Sequence, residues 1–264
     1  MNLSASNIAW TGEEDESVYD HLHNLGFSGI EVAPTRMVEP PAYTPGNIAR
    51  AAAQSVDLRV RRGLRICSVQ SLWFGLTEAM FGSEEERTYL LNYTRRALDF
   101  AAAISAPHVV FGNPRNRRMQ SKSDWQTGVY FFSACAEYAA NRNVVIGLEA
   151  NPASYGTNYL TTTREVFDLV GELNSAYLRA NLDLGTILEN SELLADIIPY
   201  VPLISHVHIS EPHLVPVRER PEHRQLNELL RHAGYVGWIS LEMRNSGPEA
   251  LLSALRAMAN AFCA

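Results

Sequence analysis

Eight short apolar runs, each followed by a longer amphipathic stretch, constrain this chain more than any other feature of its sequence. The strand candidates are "LSASNIA" (3–9), "FSGIEVA" (27–33), "LRICSVQ" (64–70), "PHVVFG" (107–112), "NVVIGLEA" (143–150), "AYLRANLD" (176–183), "LISHVHI" (203–209) and "GWISLEM" (237–243). Helix candidates fill the intervals at 14–25, 45–62, 83–104, 125–141, 163–173, 189–198, 222–232 and 248–262. Gly26 and Gly63 stand where the first two helices should stop, and "SEEE" from Ser83 suits a helix start. Strands separated by helices imply parallel crossovers. Eight such units in 264 residues predict a closed (β/α)8 barrel, an α/β fold in which residues 1–264 form one domain. An open doubly wound sheet is the competing arrangement. It is disfavoured because "IAWTGEED", after the first strand, has one glycine and no phosphate-binding loop.

Composition narrows the function. A 46% hydrophobic content supports a sizeable core, and the net charge of -7 argues against a nucleic-acid-binding protein. Cys67, Cys135 and Cys263 are odd in number and widely spaced, so neither a disulfide framework nor a cysteine zinc site is expected, and Cys67 reads as a core thiol. "MNLSASNIAW" lacks the pattern of a signal peptide, and no apolar run is long enough to span a bilayer. These features predict a cytoplasmic protein with no membrane partner. The apolar "ALLSALRAMANAFCA" packs on the barrel or on a second copy, which leaves a homo-oligomer open.

In a barrel of this kind, active residues sit at the C-terminal ends of strands. Glu149 ends the fifth strand, Asp183 the sixth, His208 the seventh and Glu242 the eighth. Each lies about one strand–helix unit from the next, which predicts equivalent levels and convergence in the barrel mouth. Each residue also has a structural reading. Asp183 can cap the following helix, the two glutamates can pair with a core arginine, and His208 can be a satisfied core histidine. Together they are best explained by a shared cation, because an unpaired charge in an apolar strand is costly. Three carboxylates and one imidazole suit Mn²⁺, Mg²⁺ or Co²⁺ better than a structural zinc.

The order Glu–Asp–His–Glu in "GLEANP", "NLD", "HVHISE" and "SLEMR", with "GFSGIEVAPT" at 26–35, resembles the sugar phosphate isomerase/epimerase family. These are xylose isomerase-like TIM barrels that include the ketose 3-epimerases. The resemblance implies one divalent metal ion, Mn²⁺ first with Mg²⁺, Co²⁺ or Zn²⁺ as alternatives, held by Glu149, Asp183, His208 and Glu242. It implies that Glu149 and Glu242 also exchange protons with a small-molecule sugar substrate. Two positions depart from the ketose 3-epimerase pattern. Thr186 stands where a histidine follows the strand-six aspartate, and Leu214 where an arginine follows the metal histidine. Both departures imply a different sugar.

A cation on a carbonyl and its neighbouring hydroxyl stabilises the enediolate formed when a carboxylate removes the adjacent proton. Two glutamates then serve either epimerisation or aldose–ketose isomerisation. A dehydratase acting on a keto-inositol or keto-sugar begins with the same step. A non-catalytic carbohydrate-binding barrel is a third reading, and a DNA-repair endonuclease a fourth that would need more metal ligands. Trp10, Glu31, Gln70 and Asn113, at the ends of the first four strands, are candidate substrate contacts, as are His206, Glu211 and Arg218 around the seventh. Glu31 has Arg36 as an alternative partner. His206 points to the same side as His208 but deeper, which suits support of a ligand. Arg115, Arg117 and Arg118 are a candidate anion site or a solvated basic loop.

Overall fold

The computed structural model describes residues 1–262. Eight parallel strands close on themselves in chain order: β1 (Asn2–Ser6), β2 (Gly29–Val32), β3 (Arg65–Val69), β4 (His108–Phe111), β5 (Val145–Glu149), β6 (Leu178–Asp183), β7 (Ile204–Ile209) and β8 (Trp238–Leu241). The helices are α1 (Asp15–Asn24), the short α2 (Pro34–Met37), α3 (Pro45–Arg62), α4 (Glu84–Ala103), α5 (Asp124–Ala140), α6 (Thr163–Leu173), α7 (Leu184–Asn190), α8 (Pro221–His232) and α9 (Pro248–Phe262). The protein is a single-domain (β/α)8 TIM barrel. No helix among the described residues is long and apolar enough to cross a membrane.

Local chemistry fixes most boundaries. The Thr44 hydroxyl accepts from the Asn47 N–H at 3.3 Å to start α3, and Gly63, at φ 66°, ends it. Capping boxes pair Ser83 with Glu86 at α4 and Thr162 with Glu165 at α6, where such a cap typically contributes about 1 kcal/mol. The helix expected at 189–198 does not form. Asp183 accepts the Thr186 N–H at 2.8 Å and starts α7 directly off β6. Pro199 and Pro202 cannot donate to an α-ladder, so Leu194–Leu203 winds as a 3-10 helix. The first strand ends earlier than expected, because Asn7–Ala9 turns into a 3-10 segment and the Asn7 side chain accepts the Ala33 N–H at 2.9 Å.

The apolar core lies between barrel and helices, where Leu22, Leu90, Phe100, Phe132, Leu169, Leu226 and Met258 are buried. Cys67 and Cys135 are buried free thiols; Cys263 lies outside the described residues. The barrel interior is polar instead. Ser4, Ser6, Glu31, Ser68, Gln70, His108, Asn181, His206, His208 and Ser240 are all buried. The His108 and His206 rings stack at 4.9 Å. Gly147 makes this possible, because a Cβ there would lie 2.4 Å from His108 Nε2.

Strand register refines the expected levels of the four strand-end residues. Glu149 pairs with Asn181, two residues before Asp183, while Asp183 pairs with His208. His208 pairs with Ser240, two residues before Glu242. Closed barrels have tilted strands whose register staggers around the ring. The two-residue steps therefore bring the four residues to the same mouth without placing them in one hydrogen-bonded row.

Candidate active site

His208 is the hub of the barrel mouth. Its Nδ1 lies 3.0 Å from Glu149 Oε2 and 3.1 Å from Glu242 Oε2. Its Nε2 lies 3.1 Å from Glu31, which is itself fully buried. Burial opposes a charged ring, but Glu242 and Glu31, with the hydrogen bonds to Glu149 and Glu242, outweigh it and hold the imidazole well above its ordinary pKa. The ring thus joins carboxylates from three strands. Glu149 is held from both sides: Asn151 Nδ2 donates to Oε1 at 3.0 Å, and Asn181 Nδ2 donates to Oε2 at 2.7 Å.

Asp183 sits beside this group rather than within it. Thr186 places its N–H and its hydroxyl each 2.8 Å from Oδ2, and Ser210 donates to Oδ1. Burial, then the charges of Glu149 and Glu242, push its carboxyl up to about 7. Asp183 therefore caps α7, and the same side chain faces the cavity. That cavity measures about 270 Å³ and has Glu149, Asp183 and Glu242 in its lining, with Gln70, Asn113 and Tyr155 among its other walls. Ligand atoms of Glu149, His208 and Glu242 lie within 4.8 Å of one another, a spacing one metal ion can bridge. Glu31, His206 and His208 form a second such trio beneath.

A family profile described as xylose isomerase-like TIM barrel matches residues 19–261. The chain belongs to that family. Among solved structures, the xylose isomerase-like barrel is similar to 3-keto-D-glucoside 4-epimerase from E. coli, with 19% identity, 100% of each chain covered and a TM-score of 0.78. It is similar to D-psicose 3-epimerase from Clostridium cellulolyticum H10, with 17% identity, coverage of 99% of this chain and 98% of that one, and a TM-score of 0.77. A family 2 AP endonuclease from Brucella melitensis is also similar, at 20% identity, 95% and 96% coverage and a TM-score of 0.71. No curated protein matches. At these identities the likeness establishes the fold.

The remaining candidates separate into layers of this xylose isomerase-like barrel. Gln70, Asn113 and Glu211 line the cavity. Glu31 and His206 lie below it, with Glu31 3.5 Å from His206 Nε2. The alternative pairing of Glu31 with Arg36 does not occur, because Arg36 reaches Asp15 at 3.1 Å and the Asn7 carbonyl at 3.0 Å. Trp10 is buried away from the cavity and donates to Asp15 at 2.7 Å. Arg218 is exposed, 3.8 Å from Glu211, whereas Arg220 grips Glu211 with Nε at 2.6 Å from Oε1 and Nη2 on Oε2. The three arginines after β4 do not form one anion site. Arg115 and Arg118 are exposed, and Arg117 is fully buried. Arg117 Nη2 donates to the Glu149 carbonyl at 3.1 Å and to Asn151 at 2.5 Å.

Asn151, Asn181 and Ser210 were not singled out from sequence. Asn151 and Asn181 had a signal: each lies two positions from a strand-end carboxylate and so on the same side of an extended chain. Arg220 reads from sequence as part of a polar loop that could close over an anionic substrate, with Arg218 and His223, but the loop after β7 folds back and sets it on Glu211 instead.

Proposed function

We propose that the protein is a divalent-metal-dependent sugar isomerase or epimerase that moves a proton beside a carbonyl through an enediolate. Glu149 and Glu242 form its acid/base pair. One observation carries this reading: two glutamates at the ends of β5 and β8 converge on a single nitrogen of His208, and both line a small cavity. The sugar epimerases among the similar structures support a sugar substrate. The buried free thiols accord with a reducing, cytoplasmic compartment.

The donor set fits a hard divalent cation. Glu149, His208 and Glu242 would hold it, with Asp183 from the adjacent wall, and an oxygen-rich set suits Mn²⁺. When bound, the ion supplies polarisation of the substrate carbonyl. The chain's own residues do the rest. With the ion bound, Glu31 would accept the Nε2–H of a neutral His208 ring and so leave its Nδ1 lone pair for the ion. Asn151 and Asn181 each donate to one oxygen of Glu149 and so hold its carboxylate at the cavity wall. One glutamate takes that proton and the other returns one. Return to the opposite face of the same carbon inverts it, while return to the neighbouring carbon interconverts aldose and ketose.

Protein purified without chelator should carry about one divalent ion per chain. The Glu149→Gln, Glu242→Gln double variant should lose it or bind it far more weakly. The wild type should also exchange carbon-bound hydrogen of a ketose with deuterated water. No metal in either protein, with no binding when Mn²⁺ is supplied, would sink the proposal.

A further inference from the structure

The charge of the cavity carries a further inference, which rests on the sugar reading above and names its substrate class. Four carboxylates line the cavity, Glu149, Asp183, Glu211 and Glu242, and none of its described lining residues is Lys, Arg or His. A divalent cation would cancel two of these charges, and Arg220 cancels Glu211 from behind. Among the described residues that line the cavity, no cation then remains to meet a phosphate. Arg117 is sealed against Glu149 and Asn151, and Arg115, Arg118, Arg218 and Arg244 are exposed and outside the lining.

Barrels of this architecture commonly hold phosphate at the loops after the last two strands, on helix N–H groups. Here both helices that follow those strands are closed to a second anion. α8 begins Pro221-Glu222 and α9 begins Pro248-Glu249. Each proline lacks an N–H, and each glutamate already places a negative charge in the first turn.

We propose that the cavity takes an uncharged keto-sugar and rejects phosphorylated sugars, with Glu211 as the specificity-determining residue. Glu211 is 2% exposed, yet it forms part of the cavity wall. The Arg220 fork fixes its carboxylate, which offers acceptor oxygens to sugar hydroxyls and keeps the Arg220 guanidinium from meeting a phosphate.

The test is equilibrium binding to the full-length protein supplied with Mn²⁺. The probes are D-fructose and D-allulose, their 6-phosphates, and inorganic phosphate. Like-charge juxtaposition should make the free ketoses bind at least ~10-fold more tightly than their 6-phosphates. The Glu211→Gln variant, with Arg220 released, should narrow that ratio by about the same factor. A 6-phosphate that binds wild type as tightly as its free ketose overturns the proposal, and so does failure of every free ketose to bind. The wild-type comparison stands even if the variant does not fold. Metal binding and hydrogen exchange are read separately, so loss of either with the charge preference intact counts against the enzymatic reading alone.

Discussion

At the scale of single residues, the site depends on how one imidazole is oriented. Glu31 does not line the cavity, but its carboxylate lies 3.1 Å from His208 Nε2, where it can accept a ring N–H and hold the ring in place. Outer partners of this kind typically affect metal affinity by 10–100-fold. Glu31→Gln should therefore weaken Mn²⁺ binding by roughly that factor while leaving the barrel folded, which titration calorimetry and circular dichroism together can check. Unchanged affinity would remove Glu31 from the support of the site. The four strand-end residues were legible because a charge interrupting an apolar strand stands out in sequence. Glu31 was legible as a pocket residue but not as one that lies against His208 outside the cavity lining. A register shift against β3 falls between Ile30 and Glu31, and such bulges re-aim side chains in ways no alternation pattern records.

At the scale of elements, legibility followed the caps. The starts of α4 and α6 carry Ser–Glu and Thr–Glu boxes that can be read directly, and the structure places them there. The stretch after β6 was misread because its cap is Asp183, which starts α7 directly off the strand and also borders the cavity. Close packing inside the barrel was also hidden. Nothing in "VVIGLEA" announces that Gly147 makes room for a ring from the neighbouring strand. Gly147→Ala should destabilise the protein by about 1–3 kcal/mol through overpacking, read as a lower urea midpoint. A neutral result would mean that His108 has another place to go.

At the scale of the whole molecule, a polar barrel interior ties stability to pH. Burial, then the charge of His208, lower the His108 pKa from 6.5 to about 3. Burial likewise holds His206 well below its ordinary value. A histidine that stays neutral when folded but protonates when unfolded favours unfolding in acid. The stability it protects is full above about pH 6.5 and is lost as pH falls towards about 3. His108→Gln, which keeps a polar group between Ser68 and Ser205, should show a shallower fall in urea midpoint from neutral to acid pH. An equal fall in both proteins would place the acid sensitivity elsewhere.

The order of the strands has a last consequence. All four proposed ligands come from β5 to β8, the later half of the chain, whereas Gln70, Ser71, Asn113 and Pro114 reach the cavity from loops after β3 and β4. The proposed ligands and part of the cavity wall are thus encoded in separate stretches. Exchanging the two early loops for those of a related barrel should change which sugar is accepted while the reaction performed on it stays the same.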